Sequence, residues 1–155
     1  MCSSDLKGSL AWNHPMHVGA IGVTGSAAAN ALAADADAVL AIGTRFGDFT
    51  TGSWALFRNP SMRLVTLNVA AFDAAKHGAL PIVGDAGAGL KQLDGALGRW
   101  RGSPTYVRTI LRLTKSWNRT VDRVTARTRD ALPSDAQVLG AVNRAAGPRS
   151  IMVCA

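Results

Sequence analysis

Thr44 and Arg45 are the residues best suited to bind an anion, because they follow an apolar run typical of a β-strand. Open α/β sheets bind ligands at the carboxyl ends of their strands, and an arginine there can hold a phosphate or a carboxylate through two parallel hydrogen bonds. The alternative is that Arg45 pairs with a nearby acid such as Asp48. The sequence leaves both interpretations open.

Three glycines spaced three residues apart, Gly19, Gly22 and Gly25, precede an alanine-rich segment that starts with Ser26. Such a turn could present backbone N–H groups and the positive end of a helix dipole to a phosphate. The spacing lacks the G-x-G-x-x-G order of the dinucleotide fingerprint. Glycines that permit close packing are therefore the alternative to an anion site, and neither interpretation is preferred.

No group of side chains in the sequence predicts a catalytic or a metal site. His14 and His17 flank Pro15 in an irregular segment without a neighbouring cysteine or acid that would complete a zinc set, and His77 stands alone. No serine lies in a G-x-S-x-G pattern, and no pair of acids stands out as a general acid and base. We therefore assign no catalytic residue and no metal ligand.

The composition is that of an ordinary globular protein, with 155 residues, 48% of them hydrophobic, and two cysteines. Cys2 and Cys154 lie at opposite ends, which argues against a disulfide framework or a structural zinc site and makes a reducing cytoplasm the expected compartment. We also expect no membrane-spanning helix and no signal peptide, because the apolar runs are too short.

The formal net charge of +7 is concentrated in one segment, residues 101–130, which holds eight of the 17 Lys and Arg but only two acids. Apolar residues at 3-4 spacing predict an α-helix of about six turns there, with bases flanking its apolar stripe. Such a face could bind nucleic acid. Without interleaved aromatic residues, a solvated outer face is the preferred interpretation, and we predict no nucleic-acid or membrane partner.

Continuous apolar runs predict three β-strands and hence an α/β fold. Alternation of apolar and polar residues is absent from these runs, which indicates a parallel sheet with helices on both faces and strands buried on both sides. The predicted strands are residues 38–42, 63–69 and 80–83. A further strand is predicted at 151–154.

Helix-start signals predict helices before and after these strands. Ser26 is suited to cap a helix over 27–36, and Asp85 precedes an amphipathic segment that ends near Gly98. Ser134 and Gln137 have the spacing of a capping box, which predicts another helix from residue 134.

Several of these segments together resemble the central domain of thiamine-diphosphate enzymes. The resemblance covers nearly everything after residue 7, and its most specific part is the run from Asp48 to Trp54. The branch of the family that is most similar consists of hydrolases that open a cyclic diketone in myo-inositol catabolism. The segments that carry the resemblance are 14–15, 22–26, 40–45, 48–54, 67–69, 72–77 and 132–138.

The resemblance implies a parent enzyme of three domains. In this family an N-terminal domain carries the glutamate that activates the cofactor, and a C-terminal domain holds Mg²⁺ and the diphosphate. The resemblance places residues 7–100 in a Rossmann-like central domain, 101–133 in a basic helix and linker, and 134–155 at the truncated start of the C-terminal domain. We expect thiamine diphosphate and Mg²⁺ in a homo-oligomeric parent enzyme but not on this chain, which should be inactive alone.

Flavin-containing members of the family, such as acetohydroxyacid synthase, bind FAD in the central domain. Gly47 and Phe49 stand where those members have a second acid and an arginine, and Asn68 replaces an acid, so we expect no bound FAD. A stand-alone module that binds ADP or FAD is the alternative function. The positions that match the flavin site are Gly25, Thr44, Arg45, Asn68 and Asp85.

Both ends of the sequence carry signs that it is a fragment. Residues 1–6 resemble the translation of a common sequencing-library adapter, so we expect them to be non-native. The strand predicted at 151–154 stops one residue before the end. Because a helix and one strand cannot bury their apolar faces alone, we expect this end to lie within a domain.

Overall fold

A computed structural model of the protein describes residues 10–11, 13–129, 131–147 and 149–151. The chain divides into two compact units, Met1–Thr114 and Lys115–Ala155. Within the described ranges, no helix is both long and apolar enough to cross a membrane.

The first unit is built on a three-stranded parallel sheet in the order β1-β2-β3. Its strands are Ala38–Ile42 (β1), Arg63–Asn68 (β2) and Leu80–Val83 (β3). Ala38 lies opposite Arg63, and Val65 lies opposite Leu80, so the carboxyl ends of all three strands meet at one edge. The parallel sheet with its surrounding helices confirms the predicted α/β fold.

The α-helices lie before, between and after the strands, and those of nine residues or more are the ones that the sequence predicted. The two helices of four residues were not predicted, because so short a segment shows no helical period. A 3₁₀ turn spans Lys76–Gly78. The α-helices are Ala27–Asp35 (α1), Asp48–Thr51 (α2), Ala71–Ala74 (α3), Ala86–Leu97 (α4), Pro104–Val124 (α5) and Asp135–Ala145 (α6).

Three helices begin at a capping side chain, of which Ser26 and Ser134 were predicted as caps and Asp85 was not. The Oγ of Ser26 accepts a hydrogen bond from the N–H of Ala29 at 3.0 Å, and Oδ1 of Asp85 accepts one from the N–H of Ala88 at 2.8 Å. At the start of α6, Ser134 takes part in a complete capping box. Each cap satisfies a backbone donor that has no partner within its helix, which fixes where the helix starts.

The core of the first unit is small and lies around β1 and β2. Four buried residues, Ala41, Phe46, Leu64 and Ala79, form its centre. β2 is buried along most of its length, whereas every residue of β3 is exposed and β1 is only partly buried. The expectation that all three strands are buried is therefore correct for most of β2, the central strand, and wrong for β1 and β3, the edge strands of this sheet.

The second unit contains the end of α5 and all of α6. α6 ends at Ala145, before Gly147, as the sequence predicted. Ile151 is irregular, and the rest of the strand predicted at 151–154 lies outside the described residues. The two compact units divide inside α5, at neither of the predicted domain boundaries. The division into domains at residues 100 and 133 stays a prediction.

Candidate functional site

The side chain of Asn68 joins the carboxyl ends of β1 and β2. Its Nδ2 donates to the carbonyl oxygen of Thr44 at 3.0 Å, and its Oδ1 accepts from the N–H of Ala70 at 3.0 Å. Asn68 is buried, and both bonds are partly buried. A carboxylate can only accept hydrogen bonds, whereas an amide donates and accepts at once. Asparagine therefore fits this position in a way that an acid does not.

Arg45 lies at the same edge and extends into solvent. Its Nε is 4.0 Å from Oδ2 of Asp73, and its side chain is 80% exposed against 15% for that of Asp73. Lys76 donates from Nζ to Oδ1 of Asp73 at 2.6 Å and to the carbonyl oxygen of Arg45 at 3.4 Å. Arg45 therefore has an acidic neighbour, as in one of the two interpretations that the sequence left open, but this acid is not Asp48. Its partner is Asp73, which α3 brings to the edge immediately after β2.

We call Thr44, Arg45, Asn68, Asp73 and Lys76 the edge cluster. It contains two cations and one carboxylate, so its net charge is positive, and the guanidinium of Arg45 is its most exposed group. The backbone and the other side chains are already joined by hydrogen bonds within the chain. The cluster can attract an anion through Arg45, and it holds the edge of the sheet together.

The turn around Gly25 is tightly packed. A Cβ on Gly25 would lie 2.5 Å from the carbonyl oxygen of Ala20, closer than real Cβ contacts. The N–H of Gly25 donates to the carbonyl of Gly22, and the N–H of Gly22 donates to Oδ1 of Asn30 at 2.8 Å. Gly19 and Gly22 have φ of 94° and 103°, which favour glycine. These glycines thus serve close packing, and the N–H groups of Gly22 and Gly25 are engaged within the chain.

Asp85 lies next to the edge cluster, but its carboxylate binds a helix N-terminus. The N–H of Gly84 donates to the carbonyl of Asn68, which places Asp85 just beyond the end of β2, and its carboxylate caps α4. Across the parts of the chain that the structure describes, no three His, Cys, Asp or Glu side chains come together in a way that could hold a metal ion.

An aromatic cluster next to the edge was not predicted from the sequence. Phe46 lies edge-on to Trp54, Phe57 and His77, with centroid distances of 5.7, 6.0 and 6.2 Å. Trp54 and His77 are themselves stacked. Phe46, Trp54 and His77 all have positive φ, a conformation uncommon for residues other than glycine. Four aromatic residues lie between positions 46 and 57, three of them in this cluster, and their close spacing was the one signal for it.

Comparisons with known proteins agree with the resemblance noted above. Residues 1–93 match the family described as "Thiamine pyrophosphate enzyme, central domain". The chain is 40% identical over 119 residues to the 3D-(3,5/4)-trihydroxycyclohexane-1,2-dione hydrolase of Clostridium perfringens, and 42% identical over 118 residues to the protein of that name from Geobacillus thermodenitrificans. A third, from Clostridium tetani, is 38% identical over 118 residues.

These alignments cover 76–77% of this chain but only 18–19% of each relative. The chain thus spans less than a fifth of the length of the relatives that it matches. The family match extends over more than half of the chain and includes all three strands of the sheet. The chain therefore belongs to the thiamine pyrophosphate enzyme family and contains a central domain of that family.

Proposed function

We propose that this chain is part of a thiamine-diphosphate-dependent hydrolase that cleaves a C–C bond of a cyclic diketone in myo-inositol catabolism. The observation that carries the proposal is the identity of 38–42% over about three quarters of the chain to proteins named 3D-(3,5/4)-trihydroxycyclohexane-1,2-dione hydrolase. The family membership supports the same cofactor for the parent enzyme.

Hydrolysis between the two carbonyl carbons of a cyclic 1,2-dione opens the ring. The hydroxyl group of water adds to one carbonyl carbon and yields a carboxylic acid, while its hydrogen goes to the other and yields an aldehyde. Thiamine diphosphate supplies the electron sink for such cleavages when it is bound. We assign no chemical step to this chain and propose that it positions other parts of the enzyme.

Exposed apolar side chains support the view that other parts of the parent protein cover this sheet. Leu80 of β3 is 64% exposed and Leu40 of β1 is 43% exposed. Parallel sheets are normally covered on both faces. We therefore propose that the rest of the parent polypeptide, in a cytoplasmic homo-oligomer, covers these residues and contributes thiamine diphosphate and Mg²⁺ sites, and that this chain is inactive alone.

The proposal is tested by assaying the 155-residue chain beside the full-length parent protein. Both receive thiamine diphosphate, Mg²⁺ and the trihydroxycyclohexanedione, and ring opening is followed by the appearance of the carboxylic acid. We expect turnover by the parent and none by the chain. Turnover by the chain would contradict its inactivity, and a parent that binds the cofactor but leaves the dione intact would contradict the proposed substrate.

The exposed guanidinium of Arg45 at the edge of the sheet is the observation that favours a nucleotide-binding module as a second candidate. Titration calorimetry of the chain with ADP and with FAD separates the two functions. Saturable micromolar binding that Arg45→Ala abolishes without loss of helical signal would favour the module. Absence of heat from either nucleotide would leave the hydrolase as the supported function.

A further inference from the structure

We propose that α5 carries a docking surface for an acidic, helical protein segment. The surface consists of five bases on one side of the helix, which we call the cationic row, and every one of them is exposed. At 3.6 residues per turn the row falls within an arc of about 80° and extends over about 22 Å of the helix axis. Its members are Arg108, Arg112, Lys115, Arg119 and Arg123.

The bases of the cationic row have no acidic partner among the described residues. The ion pairs found there are those of Asp73 with Arg45 and Lys76, and Asp122, the one acid within α5, pairs with none of the row. Like charges three or four positions apart destabilise a helix by a few tenths of a kcal/mol for each pair. An anionic partner would reduce this repulsion, so binding of such a partner would be favourable.

Most apolar side chains on the opposite side of α5 are partly buried, which argues against a membrane as the partner. Ile110 is buried, and Val107, Leu113, Trp117 and Val121 are partly buried. A helix that binds a membrane surface inserts its apolar face between the lipids. Tyr106, Leu111 and Val124 are 42–50% exposed, so the free apolar surface of α5 is interrupted, whereas the cationic row is exposed along its whole length.

The composition and spacing of the cationic row favour carboxylates over nucleic acid. Tyr106 and Trp117, the aromatic residues of α5, project to the apolar side, so the row offers no ring on which a base could stack. Successive members of the row advance by about 4.5 to 6 Å, which matches carboxylates at the i, i+3 and i+4 positions of a second helix. Four of the five are arginines, whose planar group pairs with a carboxylate through two hydrogen bonds.

The test measures binding of two labelled peptides to the full 155-residue chain by fluorescence anisotropy. The peptides have the same length and composition, but in one the glutamates form a single row at i, i+4 and i+7, and in the other they are spread around the helix. We expect the row peptide to bind about tenfold more tightly, a difference of about 1.4 kcal/mol. Equal affinity for both peptides would overturn the proposal, because it would show attraction by net charge alone.

Two further probes are polyuridine RNA and vesicles of phosphatidylcholine and phosphatidylserine. We expect both to bind more weakly than the row peptide at about 200 mM NaCl, where charge attraction without fitting geometry is strongly screened. Tighter binding of the RNA or of the vesicles than of the row peptide would overturn the proposal in favour of a nucleic acid or a membrane.

Matched variants test whether the row itself binds. Arg112→Glu combined with Arg119→Glu should weaken binding of the row peptide at least about tenfold. The control is Arg58→Glu combined with Lys91→Glu, which changes the net charge equally at two exposed bases outside α5. This control should change the affinity for the row peptide by less than about twofold. Equal losses in both would overturn the proposal.

Charge reversal should leave α5 folded, because the new glutamates face Lys115 and Arg123 at favourable helical spacing. Circular dichroism checks this point. The milder pair Arg112→Gln and Arg119→Gln should give an intermediate loss of affinity for the row peptide, and unchanged affinity in this variant would also overturn the proposal.

Discussion

The imidazole of His77 stacks on the indole of Trp54, with ring centroids 3.9 Å apart and ring planes within 13° of parallel. Both residues have positive φ, 58° and 70°, a conformation that costs of order 1 kcal/mol or more outside glycine. The ring of Phe46 lies edge-on to both. The stack thus fixes the turn that follows α2 against the turn that precedes β3, and packing compensates for the backbone strain.

Trp54→Ala should lower the free energy of unfolding by about 2 to 3 kcal/mol, because it removes the ring that contacts Phe46, Phe57 and His77. Urea unfolding followed by circular dichroism measures the change. Trp100→Ala is the control, since Trp100 is exposed, and it should change stability by less than about 0.5 kcal/mol. Similar losses in both variants would contradict the role given to the stack.

Asn68→Ala should destabilise the chain by about 2 kcal/mol, because it leaves the carbonyl of Thr44 and the N–H of Ala70 without their buried partner. Asn68→Asp should cost more, since its carboxylate would face the carbonyl oxygen of Thr44. The exposed Asn118 provides the control variant, Asn118→Ala, which should be neutral in the same urea titrations. An Asn68→Asp variant as stable as the parent chain would refute this account of the sheet edge.

Gly25→Ala should cost about 1 to 3 kcal/mol, because the added methyl group would lie 2.5 Å from the carbonyl oxygen of Ala20 and the turn would have to open. Gly47→Ala is its counterpart, as a Cβ there meets nothing within 4 Å, and it should be nearly neutral. The midpoints of thermal unfolding compare the two. If the order were reversed, close packing would not be the reason for glycine at position 25.

Ser134→Ala should destabilise α6 by about 1 kcal/mol, because the N–H of Gln137 loses the hydroxyl oxygen that accepts its hydrogen bond, while the backbone N–H of residue 134 can still donate to Oε1 of Gln137. Amide hydrogen exchange is the suitable measurement, since it reports on the first turn of α6 separately from the rest of the chain. Ser116→Ala, on the exposed side of α5, should leave exchange unchanged. Unaltered protection of residues 135–138 in Ser134→Ala would show that the box does not hold the helix start.

The elements that carry local signals could be predicted from the sequence. α1, α4 and α6 each begin after a side chain that accepts a hydrogen bond from the backbone N–H three positions later. Such a contact depends on neighbours in sequence alone. The strands were readable as apolar runs between turn residues. α2 and α3 escaped prediction because four residues carry no period, and their conformation depends on what packs against them.

The sequence by itself determined the three strands, the helices of nine residues or more and the family that the chain resembles, because caps, apolar runs and motifs are properties of neighbouring residues. Only the tertiary structure decided that Asn68 bonds to Thr44, 24 positions away, and that Lys76 reaches Arg45, 31 positions away. Such partners are set by strand order and register, which bring the ends of β1 and β2 to one edge. No local pattern contains that information, since it arises only when the sheet assembles.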